Sequence, residues 1–462
     1  MVDRRNKPSA SRNRRPSTVA KTGTGVSKQR ATTATADRSP ADYANARLQQ
    51  LQRVLVEVLK FKHPADAVLA HWFRDNRALG SRDRGEISET VFDILRQLRR
   101  YRHFAQSGEG SEFRRLALLG LAATKGEEYL NEVLTPFEKE WLEHVNALPQ
   151  DSMPWEVRHS LPDWLAEKFR ELPDADSLVQ ALNTKAPLDL RVNPLKIQRE
   201  DALKKMQDRP YAAAEPVVTP FSPWGIRVSA KPAVHHWPLF KDGSLEVQDE
   251  GSQILCALVS PRRSDMVIDF CAGAGGKTLL LGAMMRSAGR LYAFDVSETR
   301  LARARPRLSR SGLSNVTPVV IAHENDPRVK RLAAKAERVL VDAPCSGLGT
   351  LRRNPDMKWR QSPEGVAEFT ELQQRILQSA ARCVAPGGRL VYSTCSVLPE
   401  ENEAQIERFL ANNTDFTRVN AVDSLGDRIK GLSSDDDYLR LRPDVHGTDG
   451  FFAAVLERRS AK

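Results

Sequence analysis

Between about Ala44 and Leu148 the apolar residues recur at three- and four-residue spacing. Leu48, Leu51, Val54, Leu55, Val58 and Leu59 form one such stripe, and Ile87, Val91, Ile94 and Leu98 form another. That spacing puts side chains on one face of a helix. Glycine-rich and charged breaks (RALGSRDRGE, AQSGEGSE) separate the stripes, predicting an all-helical domain of about five helices over residues 43–150. Prolines 149, 154, 162 and 173 mark a junction. After it, LDLRVNPLKI, PVVTPFSPWGIRVS and a helical run near REDALKKMQ predict a small α/β module over 151–234. From about Trp237 the texture changes to short apolar runs: MVIDF (266–270), RLYAFDV (290–296), VTPVVIA (316–322), RVLVDAP (338–344) and RLVYSTC (389–395). Helical stretches lie between most of them, and GFFAAVLER (450–458) reads as a last strand. The alternation predicts a doubly wound, Rossmann-like α/β domain over 235–462.

Residues 1–42 carry many Lys, Arg, Ser, Thr and Ala and almost no large apolar residue, so a disordered basic arm is expected there. Across all 462 residues the formal net charge is +11, which favours a polyanionic partner such as nucleic acid. No stretch reaches the roughly 18 uninterrupted apolar residues of a membrane span. The N-terminus also lacks the apolar core of a secretory signal. No membrane partner, a cytoplasmic location and a monomer are expected. The cysteines are Cys256, Cys271, Cys345, Cys383 and Cys395, odd in number, widely spaced and without a C-x-x-C pair. That pattern argues against both a disulfide framework and a metal site.

VIDFCAGAGGKT follows a predicted strand and opens a predicted helix. A P-loop would need glycine where Cys271 stands, and a dinucleotide fingerprint would want glycine at Thr278. S-adenosyl-L-methionine fits better. It requires close backbone approach at Gly273, Gly275 and Gly276, and an acid after the next strand for the ribose hydroxyls, which Asp295 supplies. An acid near the adenine is expected from Glu324 or Asp326.

Ligands of open α/β sheets bind beyond the carboxyl ends of the strands. VLVDAPCSG and LVYSTCS place Cys345 and Cys395 just past two such ends, whereas Cys256 (QILCALV) and Cys383 (AARCVA) sit in apolar helical stretches and read as core. Chemistry supplies a reason for a thiol. C5 of cytosine is not nucleophilic, but addition of a thiolate to C6 makes C5 enamine-like, able to attack an activated methyl group. Lys277 is a candidate for lowering the thiol pKa, and Asp342 for hydrogen bonding to N3 of the base or orienting it.

The motifs DFCAGAGGKT, FDVS, VDAPCSGLGT with RRNPDMKWR, and YSTCSVLPEENE resemble those of the Sun-family RNA cytosine-C5 methyltransferases. EVQDEGSQ, LRVNPLK and GTDGFFAAVLER extend the resemblance over roughly 185–460. It implies that Cys395 is the covalent nucleophile and that Cys345 assists product release. It further implies that the cofactor loop is Cys271, Ala272, Gly273, Ala274, Gly275, Gly276 and Lys277, with Asp295 and Asp342 lining the site. The helical segment, with DRGEISETVFDILR, is similar to the NusB-type RNA-binding domain of bacterial small-subunit ribosomal RNA methyltransferases. The family usually has Asp after the third strand; AHENDP departs from that and leaves the adenine contact open between Glu324 and Asp326. The target cytosine must be unstacked to expose C6. The basic loop LRRNPDMKWR is then the natural RNA-backbone contact, with Trp359 either a stacking surface or core. Three rival readings remain: a cytosine-C5 methyltransferase of tRNA or another RNA, a DNA cytosine methyltransferase, in which Cys345 would attack, and a non-catalytic RNA-binding assembly factor.

Overall fold

The computed structural model describes residues 39–229 and 232–460. The basic arm expected over 1–42 therefore lies mostly outside the described residues. Its last residues do not belong to an arm, because Ser39 caps a helix, Pro40–Val58, whose first turn contains Asp42 in a reciprocal capping box.

Among the described residues five α-helices precede residue 148: Pro40–Val58, Ala65–Asp75, Ser81–Ala105, Glu112–Lys125 and Pro136–Ala147. The stripes read from the sequence meet in one core, with Leu51, Val54 and Leu55 packed among Ile87, Val91, Ile94, Leu116 and Leu121. Two short helices, Asp163–Arg170 and Ala175–Leu182, lead into an antiparallel sheet. Its strands are β1 (Leu188–Val192), β2 (Val217–Val218), β3 (Gly225–Val228) and β4 (Leu245–Val247), in the order β2-β3-β1-β4. The sheet extends past the boundary expected at 234/235. β4 pairs with β1, Leu245 opposite Val192, and Leu245 is buried in the module's own core. The α/β domain proper begins with the helix Glu250–Val259.

That domain carries β5 (Met266–Asp269), β6 (Arg290–Asp295), β7 (Val316–Val320), β8 (Ala336–Asp342), β9 (Val384–Thr394), β10 (Phe416–Val419), β11 (Leu439–Leu441) and β12 (Phe451–Arg458). The order is β10-β12-β9-β8-β5-β6-β7, with β11 also paired to β12. β7 through β9 run parallel, whereas β12 is antiparallel to β9, so the doubly wound sheet ends in an antiparallel flank. Inside the edge strand β7, both faces of the parallel part are largely buried, which is why those strands read as near-continuous apolar runs. Val339 and Val341 point to the side covered by helix Pro363–Cys383, while Leu340 points to the side covered by Glu250–Val259 and Gly276–Met284. Pro318 is tolerated in β7 because that strand is an edge. No described helix is long and apolar enough to cross a membrane.

Candidate active site

The carboxyl ends of β5, β6, β8 and β9 open on one cleft of about 750 Å³. At its base the chain turns from β5 into helix Gly276–Met284 through Phe270–Gly275. Gly273 (φ 56°) and Gly275 (φ 79°) are left-handed there, a conformation that side chains with a Cβ disfavour. A Cβ built on Gly273 would meet no protein atom within 4 Å, so the backbone is bare toward the cleft. Asp295 ends β6, is 3% exposed, and accepts the Gly273 N–H at 2.8 Å and the Ser297 N–H at 2.7 Å. A carboxylate anchored beside a bare glycine turn is the donor set a ribose diol and an adjacent amino-acid moiety require, so the residues fit S-adenosylmethionine.

Glu324 lines the same cleft, half-buried and paired with Arg375 at 3.4 Å. Asp326 is turned away. It is buried, caps the helix Pro327–Lys330, accepts the Ala322 N–H (2.9 Å) and pairs with Arg328 (2.6 Å). Of the two acids left open by the sequence, Glu324 is the one on the cavity wall.

Lys277, in the first turn of the helix, is almost fully buried and reaches Asp342 at 2.6 Å. Burial works against its charge, but the Asp342 carboxylate outweighs burial and holds the ammonium above its usual pKa. Asp342 also accepts the Ser393 hydroxyl at 3.2 Å. The charge of Lys277 is therefore engaged first by Asp342, and reaches the thiols only as a longer-range field.

Cys345 lies just beyond β8 and Cys395 directly after β9, and their sulfurs are 3.4 Å apart. The Cys345 thiol is pushed well above the usual range, first by its hydrogen bond with Cys395 and then by burial. Buried Glu401 fixes the loop between them, accepting the Ser346 N–H (2.8 Å), the Ser346 hydroxyl (2.5 Å) and the Gln373 amide (3.1 Å). Asn402 ties Thr394 to the Ser396 carbonyl. Cys256 and Cys383 are core, as their apolar settings predict; burial pushes them up to about 12 and about 11. Cys271 borders the cleft with its side chain packed against the sheet's hydrophobic core.

Residues 256–457 match the family model of the 16S rRNA methyltransferase RsmB/F, and residues 161–235 match the ferredoxin-like domain of the same family. The probable ribosomal RNA small subunit methyltransferase B of Synechocystis sp. is 34% identical over 333 residues, 71% of this chain and 74% of that protein. The protein belongs to the RsmB/F family of 16S rRNA methyltransferases. Among solved structures, a methyltransferase homolog protein from Pyrococcus horikoshii is 29% identical and superposes with a TM-score of 0.56, over 67% of this chain and 100% of that one. NSun6 from the same organism, solved with SFG, is 20% identical with a TM-score of 0.57 over 65% and 99%, a likeness of fold. S-adenosylmethionine is the cofactor of this RsmB/F methyltransferase, as its glycine loop and Asp295 anticipate.

The basic loop LRRNPDMKWR forms the seam between domains, and of the two settings left open for Trp359 it takes the core. Trp359 donates through Nε1 to Leu95 O (2.8 Å) and packs against the helical core. Lys358 is fully buried, donating to Arg96 O and Asn183 Oδ1, both at 2.8 Å. Arg353 bridges Asp249 (2.8 Å) and Asp449 (2.5 Å). Sequence reasoning also missed Glu401, Asn402 and the buried Arg191, which braces the cofactor loop by donating to Gly276 O at 2.7 Å. No local signal marks them, since LPEENE and LRVNPLK carry their charges as a solvated loop would.

Proposed function

We propose that the protein methylates C5 of a cytosine in small-subunit ribosomal RNA through a covalent Cys395–C6 adduct. The observation that carries the reading is the thiol pair, 3.4 Å apart at two adjacent strand ends, facing the cleft that holds the cofactor loop. S-adenosylmethionine supplies the electrophilic methyl group. Cys395 gives its proton to solvent and adds to C6 as the thiolate; the C5–C6 double bond opens and C5 takes the methyl. Release then requires loss of the C5 proton and cleavage of the S–C6 bond, which restores the double bond. Cys345 is suited to that step. Its pKa is raised chiefly by the hydrogen bond with Cys395, and that contribution disappears once the Cys395 sulfur is bonded to C6. Asp342, held by Lys277 and Ser393, faces the same cavity and serves as the polar anchor for the base. Glu324 takes the adenine end of the cofactor. The helical domain is read as a NusB-like RNA-binding unit, and the cytoplasm as the place of action.

The test uses transcribed 16S ribosomal RNA and labelled cofactor. Cys395→Ala should abolish transfer, and Cys345→Ala should accumulate a protein–RNA adduct that survives a denaturing gel. Transfer by Cys395→Ala at the wild-type rate, or an adduct formed through Cys345, would favour the DNA-methyltransferase order of thiols and sink the assignment.

A further inference from the structure

A second cleft, of about 920 Å³, lies where the three parts of the chain meet. Phe92 and Arg96 come from helix Ser81–Ala105, Lys185 and Pro187 from the approach to β1, and Arg352 and Arg353 from the loop beyond Cys345. That loop divides the two cavities: Thr350 and Asn354 line the catalytic one, and Arg352 lines this one.

The charges of the cleft do not all cancel. Lys185 is paired with Glu89, and Arg353 with Asp249 and Asp449. Arg96 and Arg352 are only 5% and 7% exposed, yet among the described residues neither has a carboxylate within 4.0 Å. Asp93, on the same helix as Arg96, is engaged by the Tyr101 hydroxyl at 2.7 Å. Arg96 donates through Nη2 to Arg352 O (2.9 Å), and Arg352 through Nη1 to Gly447 O (3.0 Å) and Thr448 O (2.9 Å). The Nε–H of each is buried without a partner. Burial pulls both guanidinium groups below their usual pKa, and the more distant carboxylates (Asp93 and Glu89 for Arg96, Asp449 and Asp249 for Arg352) offset it only in part. Buried charges are ordinarily paired, and a guanidinium fork matches phosphate geometry.

We propose that this cleft is a phosphodiester-binding site, in which Arg96 and Arg352 take the backbone of the RNA strand as it passes from the catalytic cavity toward the helical domain. The inference rests on the RNA-methyltransferase reading for its choice of polyanion. The site also makes the helical domain and the catalytic domain contribute one cation each, so RNA bound there spans both.

The full chain is used for the test, with transcribed 16S ribosomal RNA as the probe. Arg96→Met and Arg352→Met keep much of the apolar stem and remove the fork. Each should weaken RNA binding roughly ten-fold at fixed salt. Each should also lower the slope of log affinity against log salt by about 0.7 to 0.9, one phosphate contact. Cofactor affinity by calorimetry should stay at the wild-type value. Glu89→Gln, at the half-exposed rim, removes a carboxylate from the cleft and should tighten binding and steepen the slope. Variants that bind cofactor normally with an unchanged RNA salt slope would overturn the site. So would stabilisation by inorganic phosphate that the Arg variants lose while RNA binding is untouched, which would assign the cleft to a free anion. Methylation by the wild type is followed in parallel. If the wild type is inert on RNA while the slope changes, the enzyme reading falls and the site stands. An active wild type with flat slopes removes the site alone.

Discussion

Gly349→Ala tests how the candidate nucleophile is held. Gly349 sits in the short turn Leu348–Thr350, where its N–H donates to Cys395 O at 2.9 Å and its carbonyl accepts the Gly450 N–H at 2.8 Å. A Cβ at this position would stand 2.2 Å from Gly450 O and 2.8 Å from Cys395 O and Gly450 C, all of them backbone atoms. No side chain can rotate to relieve the contact, so the backbone must separate by ~1 Å. The atoms that would move are the carbonyl of Cys395 and the first residues of the segment leading into β12. Overpacking of this kind costs about 1–3 kcal/mol of stability. A reacting group displaced by ~1 Å loses on the order of 100-fold in rate. Cofactor affinity should stay near the wild-type value, because the glycine loop leaves β5, which is separated from β9 by β8. The assay is single-turnover methyl transfer at saturating RNA, with calorimetry for cofactor and thermal denaturation for stability. Two results would refute the reasoning. One is transfer within about three-fold of wild type despite the predicted loss of stability; the other is loss of cofactor binding in proportion to loss of rate.

Further predictions concern the acids of the cleft. Asp295→Ala removes the carboxylate that holds Gly273 N–H and should weaken cofactor binding by roughly 30- to 100-fold; Glu324→Gln should weaken it by less than about ten-fold. Asp326→Asn should leave cofactor affinity unchanged and lower the melting temperature, since Asp326 caps a helix and faces away from the cavity. Asp269 is fully buried, accepts the Thr278 hydroxyl at 2.6 Å, and is pushed up to about 7 by burial. Its folded pKa exceeds the unfolded value of 3.8, so the folded state binds the proton more tightly, and stability falls as pH rises from about 4 to about 7. The loss is up to about 4 kcal/mol. Asp269→Asn should therefore gain stability relative to wild type across that window in cofactor-free protein; a difference independent of pH in paired denaturation curves would contradict this.

The period of the apolar residues carried most of the fold. Leu48 to Leu59 and Ile87 to Leu98 are stripes because one helix face is buried. The runs at 266, 290, 338 and 389 are continuous because both faces of a parallel sheet are covered. The same logic fails at β4. Leu245–Val247 is only three residues long, and its membership in the small sheet depends on pairing with β1, a contact across more than fifty positions that no local period encodes. The direction of β12 was equally hidden, since a strand buried on both faces reads the same whichever way it runs. In the candidate site, the residues with the plainest local grammar were found: a glycine turn between strand and helix, an acid ending the next strand, and cysteines just past two others. Glu401 and Arg191 were not, because a buried charge with hydrogen-bonded partners looks in sequence like a solvated one.

That last confusion bears on how LRRNPDMKWR reads. Four basic residues near a candidate nucleophile suggested a surface for a polyanion, and the inference treats each charge as facing water. Here the segment has two neighbours at once. Gly347, Thr350, Asn354 and Met357 line the catalytic cleft, while Asp356 accepts the Ala65 N–H (3.2 Å) and Lys358 and Trp359 donate to backbone carbonyls of the helix Ser81–Ala105. Neighbouring residues such as Met357 and Lys358 thus serve the wall of the site and the seam with the helical domain. The seam needs donors because it meets helix carbonyls, and a buried ammonium or indole N–H satisfies them without a carboxylate. Burial pulls Lys358 well below its usual pKa, a cost borne within the seam. A loop so constrained on both sides fixes the helical domain relative to the thiols. The position of the first domain is therefore part of the geometry of the catalytic cleft, and not an appendage to it.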